Sequence, residues 1–445
     1  MSGKYSEALA AHIIASKPEA LNEADRHEAK RALVNIVGCA LGGADHPAVD
    51  ITIGALGPFA GAPNCAVLGR KERFDPLLAS LINGISSHVH DFDDTTPSNY
   101  IHPTSPVASA LFAYASVNKV SGLDFLNAYV LGYETVTRIG NATYPAHYQR
   151  GWHSTGSIGV FGAAVAVGKL MGLDQAQMLN AIGLAATQGA GIRDNFGAMA
   201  KSFHPGRSAQ SGYVASLLAA DGFTSGPRPL EGPRGFAEVT AGEYDLDIVT
   251  ADLGRDHLLA LNTYKPFPCG IVVHPTIDAC LQLHAEHAFG PEDVAAVELR
   301  VAPLVLDLCN QREITRGLEG KFSIYHAAAL ALVRNRASLA EFSDEAVADP
   351  AIAAMRSRVN PVADSSVSED GVEVDLVLTD GRRIHKSLEF SIGNIRKPLT
   401  DQQLESKFRD QVRVIGESQS NDVIGRLWSI DTLEDMQGLI EATLP

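Results

Sequence analysis

Between Ala8 and Asp221 the apolar residues of this chain return at three- and four-residue spacing, and beyond Tyr264 that rhythm gives way to alternation. A helix buries one stripe and a strand buries every second side chain, so the two patterns demand different elements. The first pattern predicts helices over 8–16, 28–41, 76–89, 105–117, 155–171 and 208–221. Two more are announced by their caps. Ser121-Gly-Leu-Asp124 opens a run to Arg138, and Asp174-Gln-Ala-Gln177 opens one to Ala186. In each, a polar third residue can reach back to the cap.

The second pattern predicts a strand over 297–305 and a hairpin pairing 372–378 with 382–390. Asp380-Gly381 supplies the turn, because both residues tolerate positive φ. Helices are expected at 323–333 and 339–347, and Thr400-Asp-Gln-Gln403 starts further helices towards the C-terminus. The chain therefore reads as mainly α. Residues 1–265 together with 394–445 form a large all-helical domain, and 266–393 form a smaller α+β domain.

Composition removes several classes of function. Acidic residues outnumber basic ones 52 to 36, for a net charge of −16. A general binder of nucleic acid or of anionic membranes needs the opposite field. The five cysteines, Cys39, Cys65, Cys269, Cys280 and Cys309, are odd in number and contain no CxxC pair. That argues against a disulfide framework or zinc ribbon and for a reducing compartment. The N-terminus lacks a signal-peptide pattern, so the expected location is the cytoplasm. The longest near-apolar run, 156–168, falls short of the about 20 residues that a membrane span needs. No GxGxxG, GxxxxGK[ST] or GxSxG motif is present, which disfavours nucleotide chemistry and an α/β-hydrolase.

Titratable side chains crowd four stretches. His88-Val-His90-Asp91-Phe92-Asp93-Asp94-Thr95-Thr96, followed by His102-Pro103, is the densest. Such crowding shifts pKa values, as acid–base catalysis requires, but a metal site and a polar capping loop stay open. Trp152-His153-Ser154-Thr155 places His153 before a helix N-terminus, where a neutral imidazole is favoured; a surface histidine is the alternative. Lys201-Ser-Phe-His204-Pro-Gly-Arg207 precedes the helix predicted from 208. It is either a carboxylate-binding corner or an exposed basic loop. Tyr264-Lys265-Pro-Phe-Pro-Cys269, with His274-Pro275 after it, resembles a hinge that could carry Lys265 into a cleft. If the helix near 323 already includes Lys321, then Lys321 shares a face with Tyr325.

Together these stretches resemble the MmgE/PrpD family. The resemblance rests on His90-Asp-Phe-Asp-Asp-Thr95, His102-Pro103, Gly151-Trp-His-Ser-Thr-Gly156, Lys201 to Arg207, Tyr264 to Cys269, and Lys321-Phe-Ser323. It implies a large helical domain with an α+β lid, usually as a homodimer. It also implies action on small di- or tricarboxylic acids without metal or organic cofactor. Known activities are 2-methylcitrate dehydratase, cis-aconitate decarboxylase and iminodisuccinate epimerase. By motif position the family's active-site residues fall on Asp93, Thr95 or Thr96, His102, His153, Lys201, Lys265 and Tyr325. Arg207 and His274 are added here as substrate-binding candidates. The decarboxylases resemble this chain but carry a histidine near Gly270, and the chain lacks the extra length of the dehydratases.

On that likeness the expected enzyme is an isomerase that epimerises iminodisuccinate, with a hydro-lyase second. A catalytically silent polycarboxylate binder, or a metal hydrolase built on His88, His90, Asp91 and Asp94, are the remaining alternatives. In the expected mechanism Lys201 and Lys265 hold substrate carboxylates. His102 and His153 carry protons, Asp93 tunes an imidazole, and Tyr325 donates from the lid.

Overall fold

A computed structural model describes residues 4–255 and 257–445; Met1 to Gly3, part of the N-terminal stretch read above, lie outside them. The core of the first unit is a bundle of long helices: Glu23–Gly42, Pro76–His88, Thr104–Val117, Gly122–Thr143, Ser154–Leu170 and Ala200–Ala220. Side chains cap three of them, at Asn22, Asp75 and Ser121, and two further helices, Gln175–Ala186 and Asp401–Gln411, begin at caps as well. Asp174 with Gln177, and Thr400 with Gln403, form reciprocal capping boxes. Such caps are each worth about 0.5–2 kcal/mol. At Ser121 the cap is one-sided. Its hydroxyl accepts from the Asp124 N–H at 3.1 Å and donates to the Asp124 carboxylate at 2.5 Å.

Glycines let three of these helices touch closely, and this contact brings the site together. A Cβ on Gly84 would lie 2.4 Å from the Gly206 Cα, and one on Gly206 would lie 2.4 Å from the Leu81 carbonyl oxygen. On the other side of the Ala200–Ala220 helix, a Cβ on Gly212 would lie 2.5 Å from Ala163 Cβ. The crossing at Gly84 and Gly206 sets His88 beside Lys201. Gly206→Val is therefore expected to lower stability by about 1–3 kcal/mol through overpacking. Turnover should fall with it, as a shifted melting temperature and kcat would show.

The Ala200–Ala220 helix departs from expectation. It runs straight through Lys201 to Arg207, with Pro205 inside it. Proline leaves one carbonyl of the preceding turn unbonded, but here it sits in the second turn and the helix persists. The basic corner before a helix is therefore part of the helix.

In the second unit a four-stranded sheet has the order Val359–Ala363, Val294–Val301, Val372–Leu378, Arg383–Leu388. The first pair is parallel and the others antiparallel. The hairpin forms as expected, though only Gly381 takes positive φ. The expected strand stops at Val301 because Pro303 opens a short helix, Pro303–Cys309. The segment expected as one helix at 339–347 divides into a 3-10 turn, Leu339–Phe342, and a helix, Asp344–Ala348.

The buried apolar side chains form two main clusters. One holds the N-terminal helices together with Leu404, Phe408, Val423 and Leu427 of the tail; the other runs from Phe267 to Ile384. The tail helix Asp401–Gln411 lies on Glu23–Gly42, where a Cβ on Gly38 would lie 2.8 Å from the Phe408 ring. All five cysteines are unpaired and buried. Among the described residues no helix is long and apolar enough to cross a membrane.

Candidate active site

The Pro76–His88 helix ends at the crowded stretch. Asp91 then takes a left-handed conformation, φ 51°, and its N–H donates to the His88 carbonyl at 2.8 Å. Aspartate is among the few side chains that tolerate this region. The reversal sends the neighbouring carboxylates to different places. Asp91 Oδ1 accepts from Lys265 Nζ at 2.7 Å and from Lys201 Nζ at 2.9 Å. Asp93 lies behind two imidazoles, 2.8 Å from His88 Nδ1 and 3.4 Å from His102 Nδ1. Asp94 turns into the helical core, where Thr104 and Asn262 donate to it at 2.6 and 2.9 Å.

A directed chain of hydrogen bonds follows. Lys201 donates to His88 Nε2 at 3.0 Å, so His88 carries its proton on Nδ1 and donates to Asp93. His102 Nδ1 lies 3.2 Å from Thr95 Oγ1, and its Nε2 lies 3.7 Å from Asp91 Oδ1. Thr95 is itself held by a two-way backbone bridge to Thr263, just before the hinge. His153 stands at the N-terminus of Ser154–Leu170, with Nδ1 2.8 Å from His204 Nδ1.

Burial and charge set the protonation states. Burial pushes Asp91 up, but the Lys201 and Lys265 ammoniums, with His102 and His88, hold it well below the usual carboxylate range. Burial likewise opposes and His88 and His102 enforce ionisation of Asp93. Burial, with repulsion from Asp93, raises Asp94 to about 7. The imidazoles move the other way. Burial and Lys201 hold His88 down at about 4 against the pull of Asp93. Burial, with Lys201 and the neighbouring rings, holds His153 well below its ordinary value. Burial and the Lys265 and Lys201 ammoniums also lower His102, against Asp93. Burial lowers Lys201, with Lys265 adding to this and Asp91 opposing it. Neutral imidazoles thus stand beside an ion triplet of one carboxylate and two ammoniums.

These groups line one narrow cavity between the two units. The helical unit contributes Asp91, Thr95, His102, His153 and Lys201; the hinge and second unit contribute Lys265 and the apolar wall of Ile271, Val272, Leu308 and Phe322. The cavity measures about 40 Å³. That holds a water or two, far below the about 300–1,000 Å³ of a ligand site.

The remaining expected residues lie elsewhere. Arg207 is exposed and bonds Gln210, because the six residues from Lys201 make about 1.7 turns and leave it about 120° round the helix. Thr96 is spent inside its loop on Asn99 and the Ile101 carbonyl. His274 faces the Cys269 carbonyl at 3.3 Å, and Tyr325 donates to Asn310 at 2.9 Å. Lys321 precedes its helix, since Ser323 is the cap, and so shares no helical face with Tyr325. Its ammonium instead fastens the His90 and Pro268 carbonyls at 2.9 and 2.7 Å. The positions of Asp91 and His88 beside the ammoniums, and of His204 against His153, were not assigned from sequence, although the crowding of carboxylates and imidazoles marked the first two.

Of the four metal-site candidates, only His88 and Asp91 fall in a common group of possible ligands, with Asp93. His90 Nε2 lies 3.0 Å from the Gly42 carbonyl, and Asp94 is in the core. One nitrogen each of His88, His102 and His153 do lie within 4.8 Å of one another. His88 Nε2 accepts from the Lys201 ammonium.

Residues 7–249 match the MmgE/PrpD N-terminal domain, and 267–429 match the MmgE/PrpD C-terminal domain. A cis-aconitate decarboxylase of Aspergillus terreus is 26% identical, over 93% of this chain and 90% of the relative. The cis-aconitate decarboxylase of Mus musculus is 27% identical, over 77% and 73%. A 2-methylcitrate dehydratase of Cupriavidus necator is 23% identical, over 83% and 82%. Decarboxylation and dehydration break a bond rather than invert a centre. The expectation of an isomerase epimerising iminodisuccinate is thereby overturned, and lyase chemistry fits in its place. With both of its domain models matched in order along most of the sequence, the chain belongs to the MmgE/PrpD family.

Proposed function

We propose that this protein is a lyase that breaks a carbon–carbon or carbon–oxygen bond beside a carboxylate of a small di- or tricarboxylic acid. The reading is carried by one observation: two buried ammoniums share a single carboxylate oxygen of Asp91, next to neutral imidazoles, inside a narrow cavity between the two units. A substrate carboxylate can replace Asp91 as partner to Lys201 and Lys265. Charge that develops on the substrate then meets donors already aimed at it, in a medium where each is worth more than in water. His153 and His102, neutral before reaction, can exchange a proton with the reacting carbon or leaving group.

Decarboxylation is the first reading. Relatives named for it cover most of the chain, and the apolar wall of Leu308, Ile271 and Phe322 favours loss of a neutral molecule from a charged carboxylate. Dehydration is the second. A Cβ at Gly270 would lie 2.8 Å from Cys309 Sγ, so this structure leaves no room there for the side chain that the decarboxylases carry nearby.

The test is proton NMR in deuterated water with cis-aconitate, citrate and methylcitrate. Decarboxylation releases carbon dioxide and leaves a product with one solvent deuteron; dehydration of a hydroxy acid yields a new alkene. Deuterium uptake with inversion and no bond cleavage would contradict the lyase reading.

A further inference from the structure

His204 is a buried imidazole that the chemistry above leaves idle. It sits on the same helix as Lys201 and retains 7% exposure. Its Nδ1 is 2.8 Å from His153 Nδ1. It lies beneath the segment 187–200, in which no residue is buried. Gly191 of that segment accepts from the His153 N–H at 3.1 Å, and a Cβ on Gly191 would lie 3.1 Å from the His204 ring. The segment thus rests on the His204 ring through Gly191 and on the His153 ring through Phe196, the latter two rings lying 5.1 Å apart. His153 lines the cavity, and with its Nδ1 taken by His204, its Nε2 is the nitrogen left for substrate.

We propose that His204 is a proton-relay positioning residue, linking His153 to solvent so that His153 can act as acid or base without becoming charged. This rests on the lyase reading, which makes His153 a proton carrier. A single Nδ1–Nδ1 hydrogen bond requires one ring to donate and the other to accept, so the two neutral rings hold opposite tautomers.

In decarboxylation, the departing carbon dioxide leaves its electron pair on carbon, which takes the proton from His153 Nε2. The Nδ1 proton of His204 moves to His153 Nδ1, and water supplies a proton to His204 Nε2, leaving hydroxide in bulk. Both rings begin and end neutral with their tautomers exchanged. When the cavity opens, water reprotonates His153 Nε2, the shared proton returns to His204 Nδ1, and His204 Nε2 releases its proton to solvent. In dehydration the relay runs in the opposite sense: His153 Nε2 takes the carbon's proton, its Nδ1 proton passes to His204 Nδ1, His204 Nε2 gives its proton to solvent, and the departing hydroxide takes up a proton from solvent to leave as water. The relay answers a difficulty of the site: Lys201, His88 and His102 all stand against a second proton on His153, and Lys201 and His88 against one on His204.

The test compares His204→Gln with His204→Ala in the full-length protein. Glutamine can keep a hydrogen bond to His153 but cannot pass a proton through. In both variants kcat should fall about tenfold or more while KM changes less than about threefold. Free imidazole should restore activity to His204→Ala. A His204→Gln enzyme within about twofold of wild-type kcat, or a loss that imidazole leaves untouched, would overturn the relay. Nitrogen NMR of histidine-labelled protein reads the pair without turnover. Scalar coupling between the two Nδ1 atoms, lost in His204→Gln, supports the relay even if no acid is turned over; its absence sinks the relay and leaves the lyase reading standing.

Discussion

Replacing Asp91 by Asn is expected to cost about 3–5 kcal/mol of stability, because it leaves buried charge without its partner. The carboxylate is 3% exposed and is the shared acceptor of two ammoniums. Asparagine offers an oxygen but no charge. Turnover should fall about 10²–10³-fold as well, since the lysines lose the partner that orients them. Denaturant unfolding and steady-state kinetics measure the two losses separately. Adding Lys201→Met to Asp91→Asn should return part of the stability, by removing one stranded ammonium, and none of the activity. A single variant within about 1 kcal/mol of wild type would mean that the triplet does not hold the closed site together.

The second large effect concerns His153. His153→Gln should lower kcat by about 10²–10⁴-fold, the usual contribution of a positioned acid–base group. Its pH signature follows from the direction of the shifts. A histidine held far below its ordinary value stays neutral as pH falls through 6.5, so wild-type kcat/KM should show no decline there. On the alkaline side burial lowers Lys201, so activity should fall as that ammonium is lost, below the ordinary lysine value of 10.5. An acid limb centred near 6.5 would assign the essential proton to an exposed histidine instead.

How far this could be read beforehand depends on which physics acts locally. Caps and turns are local: Asp174 with Gln177 and Thr400 with Gln403 form where their spacing says, and Asp380-Gly381 makes its hairpin. The expected helix start at residue 208 came eight residues late because Pro205 reads as a helix breaker, whereas the close approach of Gly206 to Gly84 belongs to tertiary packing. The parallel strand Val359–Ala363 also escaped notice, being short and paired with a strand far away in sequence.

Within the site, the crowding of His88 to Thr96 was plain, but which of three adjacent carboxylates faces the lysines depends on one backbone angle, that of Asp91. Motif position pointed to Asp93, which acts on His88 and His102 from behind. Arg207 looked equivalent to Lys201 as a cation in one short stretch. Helical rotation separates them, and rotation matters only once the helix is known to run through both.

The most direct measurement is a crystal structure with a saturated tricarboxylic acid bound, one that offers the carboxylates without a bond to break. One ligand carboxylate should sit within hydrogen-bond distance of both Lys201 Nζ and Lys265 Nζ, with Asp91 displaced from at least one of them and His153 Nε2 facing the ligand carbon chain. A ligand bound outside the crevice, with Lys201 and Lys265 still clasping Asp91, would contradict the account.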